Sequence, residues 1–540
     1  MLKIKALFHF TPRELFLILL GGLGFFLGFP NSLFQIPPLV LLFPFALACL
    51  ALEAESEGKA AAGVITLLTA GGLPAAFWLT HPLVTYGGVP MPLAVVFIII
   101  LAVCVSAYYI VFALFLRFFR ARAPLLALPA AACAWGALEY ARGLLFTGIT
   151  WFSLSSAMAG WPLWAQGASL FGMFGLSSVY AFTAFSFIPL LPRGRRGGLR
   201  KAPEKIKTLT LPLLGCSLLA ALLAYGQARL KLDFTEGRPV LIAQVQGNID
   251  QAQKWLPAKQ MQTVRHYAAL SEKAIELSLK RFGKNPDLLV WPETSMPFYF
   301  SHAPNLGALL RDLSKRHGLP LLFGAPESDR PPLEARYNRV WLLDEQGREA
   351  GYYDKEHLVP FGEYLPLGLN VPFAGEFIQG MGFTPGTAET PLRYRHFAFG
   401  VLICYESLFP ELAQARVESG SNLLLNLSND AWFGDSPAPW QILQLSAMRA
   451  IEQGRYMLRS TNTGASAMID PAGRIQGLGP LFRDYPSVHQ AWLLEEKTFF
   501  NRYYARITKI VACSPLFFLA LLGLRPVFRT AIRHKKRERM

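Results

Sequence analysis

Charge is what this sequence has least of. Only 16% of its 540 residues are Asp, Glu, Lys or Arg, 52% are apolar, and the mean hydropathy is +0.31. Soluble chains carry about 25% charged residues, so a long part of this one is expected to lie in lipid. Cysteine is scarce too. Of six, Cys49, Cys104, Cys133, Cys216 and Cys513 fall in or beside apolar runs, which excludes a disulfide-stapled secreted module. No G-x-x-x-x-G-K-[ST] phosphate loop is present, and the nine histidines are scattered, with no His or Cys pair at metal-ligand spacing. No nucleotide, other cofactor or metal is therefore expected. The formal charge of +16 would point to nucleic acid only if the basic residues gathered on a folded domain. They do not.

They gather at the ends of apolar runs instead. Seven runs lie near residues 12–29, 33–52, 60–79, 92–118, 124–142, 164–191 and 209–228, and an eighth near 507–524. Each approaches the ~20 residues that a helix needs to cross a bilayer. The first could be a secretory leader, but no small-x-small cleavage site follows Phe29 and another apolar run begins at once, so it is expected to be an uncleaved span. One set of ends, from Lys3, Lys5 and Arg13 to the tail after Arg525, holds 21 Lys and Arg. The short connections on the opposite side hold one, Arg142. By the positive-inside rule the basic ends, including both termini, are cytoplasmic. The expected organisation is a membrane domain over 1–228, an exported domain over 229–506, and an eighth span with a basic tail over 507–540. Glu139 and Arg142, nearly the only ionisable residues inside the runs, are expected to pair at an interface.

The exported part alternates short β-rich runs with helical stretches, the pattern of an α/β layered domain. Strands are expected at 240–245, 287–291, 319–324, 397–403 and 423–427. Helices are expected at Pro257–Phe282, 306–317, after Cys404 to about Gly420, and 440–454. Residues 339–343 and 349–353 flank Glu345-Gln346-Gly347 as a hairpin.

Three chemically capable residues stand at strand ends. Cys404, the lone cysteine of the exported part, follows one strand; on position alone it is as consistent with a core residue as with a nucleophile. Glu293 follows Leu289-Val290-Trp291-Pro292, and Lys355 follows Tyr352-Tyr353-Asp354. Ligands of α/β sheets collect at the carboxyl ends of strands, so one pocket could hold all three. Their types fit together. A thiol near pKa 8.5 needs a base; a free Glu near 4.3 lies about four units below it, roughly 5–6 kcal/mol uphill. Burial must therefore raise the glutamate. The lysine can hold the negative oxygen of a tetrahedral intermediate and stabilise the thiolate. The chemistry is acyl transfer through a thioester.

At these residues the sequence resembles the nitrilase (carbon–nitrogen hydrolase) superfamily, whose members carry a Glu–Lys–Cys triad on an αββα sandwich. With its membrane runs it is similar, over nearly the whole chain, to the apolipoprotein N-acyltransferase family. The segments that carry the likeness are Gln246-Gly247-Asn248-Ile249 with Lys254-Trp255, Trp291-Pro292-Glu293, Asp354-Lys355-Glu356-His357 running on to Gly362-Glu363-Tyr364, Cys404-Tyr405-Glu406, Asn429-Asp430-Ala431-Trp432-Phe433-Gly434 and Arg449-Ala450-Ile451-Glu452-Gln453-Gly454-Arg455, with Glu139-Tyr140-Ala141-Arg142-Gly143 and Gly87-Gly88 in the membrane part. The resemblance implies a polytopic membrane domain of about eight transmembrane helices and an exported nitrilase-like sandwich. It makes Glu293 the general base, Lys355 the oxyanion stabiliser and Cys404 the nucleophile. Glu363 becomes a second active-site carboxylate, with Trp255, Tyr405 and Glu406 as supporting residues. Trp255 could equally be core, and Glu406 a helix-start charge.

The implied reaction moves an acyl chain from a membrane phospholipid, expected to be phosphatidylethanolamine, to the N-terminal amine of a diacylated apolipoprotein. The enzyme would be a monomer of the bacterial inner membrane. A membrane-tethered amidase hydrolysing a C–N bond is the alternative. Trp440-Gln441-Ile442 and Ile149-Thr150 depart from the family pattern, where histidines around the glutamine and a Phe-Pro are common. The glycine-rich, apolar stretch 366–385 is expected to be a mobile lid that touches the bilayer, with a packed core loop as the alternative.

Overall fold

The computed structural model describes residues 7–191, 205–329, 335–365, 382–387 and 391–537. Each of the eight apolar runs is largely helical. By length and apolarity four helices suffice to cross a membrane: Met91–Arg122, Ala168–Leu190, Leu209–Arg229 and Tyr504–Gly523. Glu57–Ala75 and Phe77–Tyr86 qualify only together, bent by 64°. Pro74 sits in the last turn before that bend, where it removes a backbone donor from the ladder. Pro37–Glu53 is a shorter apolar helix. The expected stretch 366–385 falls mostly outside the described residues.

Residues 238–493 build a sandwich of two six-stranded sheets, ordered β12-β1-β2-β3-β4-β5 and β11-β10-β9-β8-β7-β6. The first contains β1 (Arg238–Gln246), β2 (Leu288–Val290), β3 (Leu321–Ser328), β4 (Arg336–Leu343), β5 (Glu349–Asp354) and β12 (Tyr485–Leu493). The second contains β6 (Leu392–Tyr394), β7 (Phe397–Ile403), β8 (Leu423–Ser428), β9 (Met457–Thr461), β10 (Ala467–Ile469) and β11 (Ile475–Gln476). All strands expected from the sequence are present, within a few residues at their ends.

Strand alternation makes the layers. Val240, Ile242 and Val290 of the first sheet face Val401, Leu425 and Leu427 of the second across the inner core. Leu241, Ala243 and Val245 point the other way, against Val264, Tyr267 and Leu270 of the helix Pro257–Phe282. Both faces of β1 are therefore buried, which is why it reads as a near-continuous apolar run. Behind the second sheet, Leu402 and Leu424 meet Ala413 and Ile442 in a cluster that continues into Leu154, Met158 and Phe174 of the membrane domain.

Topology sets where the strands end. β1, β2 and β3 are parallel, β4 is antiparallel to β3, and β5 is antiparallel to β4. Two reversals leave β5 running the same way as β2. In the second sheet β7, β8 and β9 are parallel.

Candidate active site

Glu293 lies just past β2, Lys355 directly after β5 and Cys404 directly after β7. Their side chains form one buried electrostatic cluster. Lys355, 1% exposed, bridges Glu363 at 2.8 Å and Glu293 at 3.8 Å. Both carboxylates and the lysine act on the Cys404 thiol or on each other. Lys355 thus joins Glu293 and Glu363, and Cys404 stands near enough for Glu293 and Lys355 to act on its thiol.

Glu293 is held from both sheets. Asn338 of β4 donates its side-chain amide to Glu293 Oε1 at 2.8 Å and to Glu363 Oε1 at 3.0 Å. From the second sheet the Asn429 backbone N–H donates to Glu293 Oε2 at 2.7 Å. Gly324 of β3 lets the base come close: a Cβ there would lie 2.4 Å from the Thr294 nitrogen and 2.7 Å from the Glu293 Cα. Cys404 and Thr294 hold φ of +52° and +43°. Left-handed backbone at non-glycine residues is strained and collects at functional sites.

Electrostatics assign the protons. Burial pushes the Glu293 carboxyl up, Lys355 opposes it, and Glu363 adds to the rise; this is the direction the chemistry requires. Burial disfavours charge on Lys355, yet Glu363, Glu293 and Cys404 outweigh it and keep the ammonium protonated. Burial, with Glu293 adding, pushes the Cys404 thiol up to about 12. Lys355 does pull the thiol down, but less than desolvation pushes it up. A thiol held up in this way keeps its proton at neutral pH until a base takes it.

The supporting residues divide. Glu406 is fully buried and latches the lysine turn to the cysteine turn. Its Oε1 accepts from Tyr353 Oη at 2.9 Å and from the backbone N–H groups of Glu356 at 2.7 Å and His357 at 3.0 Å, while Oε2 accepts from the Ile403 N–H at 2.6 Å. It is thus a helix-start carboxylate and a tie between sheets at once. Tyr405 donates to the Gly148 carbonyl at 3.1 Å, tying the turn that begins at Cys404 to the domain of apolar helices. Trp255 is 39% exposed, so it is no core residue, and no hydrogen bond or ring contact joins it to the triad among the described residues.

The two departures from the family pattern lie between the domains. Thr150 donates to the Leu408 carbonyl at 2.9 Å. Gln441 donates to the carbonyls of Pro30 at 2.9 Å and Ala75 at 3.2 Å, and accepts from the indoles of Trp78 at 3.1 Å and Trp151 at 2.7 Å. Glu139 and Arg142 are buried but are not a direct ion pair. Glu139 accepts from Trp135 and the Leu154 N–H, whereas Arg142 donates to Tyr109 and Ser153. Each holds the connection that follows its helix rather than the other.

Sequence reasoning missed Asn338, because the strand was expected to begin one residue later, and gave Asn429 no role although it stands in a quoted segment. A polar side chain at a strand end, in register with a candidate base, is the signal that could have found both. No group of three or more His, Cys, Asp or Glu among the described residues could hold a metal ion.

A two-sheet sandwich with a buried glutamate, a buried lysine and a partly buried cysteine at its strand ends defines a carbon–nitrogen hydrolase-type domain, here joined to a domain of apolar helices. Residues 241–484 match the carbon–nitrogen hydrolase family, and residues 17–186 match the apolipoprotein N-acyltransferase N-terminal domain. The chain is 34% identical over 504 residues to the apolipoprotein N-acyltransferase of Geobacter metallireducens, covering 92% of this chain and 93% of the relative. It is 35% identical over 412 residues to that of Azotobacter vinelandii, covering 75% and 76%. This chain belongs to the apolipoprotein N-acyltransferase family. Among solved structures, a carbon–nitrogen hydrolase from Helicobacter pylori aligns with a TM-score of 0.37 and 16% identity over 51% of this chain and 95% of the other.

Proposed function

We propose that this chain is an N-acyltransferase that moves a fatty acyl chain from a membrane phospholipid, through a thioester on Cys404, to the N-terminal amine of diacylglyceryl-cysteine on an apolipoprotein. The observation that carries the reading is a Glu293–Lys355–Cys404 cluster, its carboxylate and ammonium buried, whose nucleophile turn is hydrogen-bonded to the membrane domain. In the first half-reaction Sγ attacks the ester carbonyl as Glu293 takes the thiol proton. Lys355 opposes the charge that grows on the carbonyl oxygen. The C–O bond then breaks, and Glu293 returns the proton to the departing lysophospholipid. In the second half the neutral α-amine attacks the thioester, Glu293 takes its proton, and the C–S bond breaks to restore the thiol. Phosphatidylethanolamine is the expected donor, and a monomer suffices because all three groups come from one chain.

The membrane arrangement has its own support. The exported domain meets the membrane domain at Gln35, Trp78, Tyr86, Gly148, Thr150 and Gln166. All lie on the side poor in Lys and Arg. The opposite side is closed by Arg13 on Glu53 and by Arg117 on the carbonyls of Ala51 and Ala54. This fits eight membrane-embedded helical segments, some of them too short or bent to count as spans by length alone, with both termini cytoplasmic and the catalytic domain in the periplasm of an inner-membrane protein.

Intact-protein mass spectrometry after incubation with phosphatidylethanolamine vesicles tests the reading. One added acyl mass is expected on the native chain and none on Cys404→Ala. Steady fatty-acid release with no acyl mass on Cys404 would favour the amidase alternative, and no reaction with phospholipid would sink the proposal.

A further inference from the structure

Lys254 takes no part in the scheme above, yet it is buried as deeply as Lys355, each 1% exposed. It ends the short turn Gln251–Lys254, and its Nζ donates to Thr294 Oγ1 at 2.7 Å, its one side-chain hydrogen bond among the described residues. Thr294 is the neighbour of the base and is held in left-handed backbone. The same turn is fastened to the base by a second route. Gln251 accepts from Asn429 Nδ2 at 2.7 Å, and the Asn429 N–H bonds Glu293. A buried ammonium is costly unless a negative charge answers it, and the charge that reaches Lys254 is that of Glu293. The count of charges makes the need mutual. Lys355 lies a full ångström nearer to Glu363 than to Glu293, so two buried carboxylates share one lysine unless Lys254 supplies the second cation.

We infer that Lys254 is a positioning residue for proton transfer: its ammonium, fixed by Thr294, supplies the second positive charge that keeps Glu293 ionised and ready to take the proton from Cys404. The inference rests on Glu293 being the base. The charged groups facing Glu293 are Lys355 and Glu363 from the β5 end and Lys254 from its turn, with the Cys404 thiol from the β7 end; Asp430 acts on that thiol. Asn338 and the Asn429 N–H are uncharged and do not titrate. Burial brings Lys254 down to about 7, so its charge fades as pH rises past neutrality, while Glu293 loses its proton in the same direction.

The test is the initial rate of Cys404 acylation by phosphatidylethanolamine in mixed micelles, followed against pH on the full-length chain. In Lys254→Met the acid limb moves to higher pH by about one unit, a ten-fold loss at a pH on that limb. The rate recovers as pH rises, and KM for phospholipid is unchanged. Lys254→Arg restores the limb. Thr294→Val, which frees the ammonium without removing it, moves the limb less and in the same direction, and it decides the matter if Lys254→Met does not fold. A limb that stays at its native position in both variants, whatever their rates, overturns the inference. Glu293→Gln separates the two levels. If it acylates Cys404 at the native rate, the assignment of the base fails and this inference with it; if it is inactive while the limb does not move, only Lys254 loses its role.

Discussion

Two helices on opposite outer faces of the sandwich show what the membrane domain does to this fold. Pro257–Phe282 buries Thr263, Val264, Tyr267, Leu270, Ser271, Ala274, Ile275 and Ser278, a stripe at helical spacing, and leaves the other residues partly or fully exposed. In Ala438–Gln453 every residue except Trp440 is buried. The first helix packs on its own sheet and, through Glu272, against Arg316 and His317 of the neighbouring helix Pro304–His317. The second is packed between its sheet and the membrane domain, and its polar residues act as fasteners. Gln441 joins four membrane-domain groups, Gln444 pairs with Gln35, and Arg449 holds the Leu408 carbonyl at 2.9 Å and Glu452 at 2.9 Å. The sheet that ends in Cys404 is therefore fixed relative to the apolar helices, and the sheet that bears Glu293 and Lys355 is tied to it by hydrogen bonds through Asn429 and Glu406.

The contrast can be broken most strongly at the tie between the sheets. Glu406→Ala leaves two loop N–H groups, the Ile403 N–H and the Tyr353 hydroxyl without their acceptor, which should cost about 3–5 kcal/mol and at least a hundred-fold in acyl-enzyme formation. Mass spectrometry of Cys404 and a thermal melt measure both. At the membrane side, Gln441→Ala strands two carbonyls and two indole N–H groups and is expected to destabilise by about 2–4 kcal/mol. An unchanged melting temperature in detergent would mean that the second helix is not fastened as described.

Gly324→Ala sharpens the comparison within the first sheet. The new Cβ must move the Glu293 backbone, and a displacement of a few tenths of an ångström up to 1 Å should slow acylation by about 10- to 100-fold with little change in phospholipid affinity. On the water-facing helix, Glu276→Ala removes a pair with Lys280 whose side chains are 64% and 73% exposed. It should shift stability by less than about 0.5 kcal/mol, and a larger loss in denaturant unfolding would show that the outer helix is more constrained than its exposure implies.

Much of this was legible. β1, β2, β7 and β8 are continuous apolar runs bounded by turn residues, and Pro257–Phe282 opens on proline and closes on Gly283 at φ +71°. β9 and β12 were not legible. β9 carries Arg459, buried against Asp430, and β12 carries His489 between Ser487 and Gln244. Polar residues at inward positions hide the alternation, and their partners come from distant strands. At the site, the triad stood out because each member follows a strand. Asn338 and Lys254 did not, since an amide in a strand and a lysine in a loop look ordinary until their neighbours are known.

Local order in the chain settled the residue types, the strand ends that bear them and the lipid-seeking runs, because periodicity and turn chemistry act over a few residues. Proton ownership was decided elsewhere. Burial pushes the Cys404 thiol up to about 12 against the pull of Lys355, Glu139 and Arg142 serve separate partners, and Trp255 stands exposed, because desolvation and hydrogen-bond choice depend on groups brought together from hundreds of residues apart.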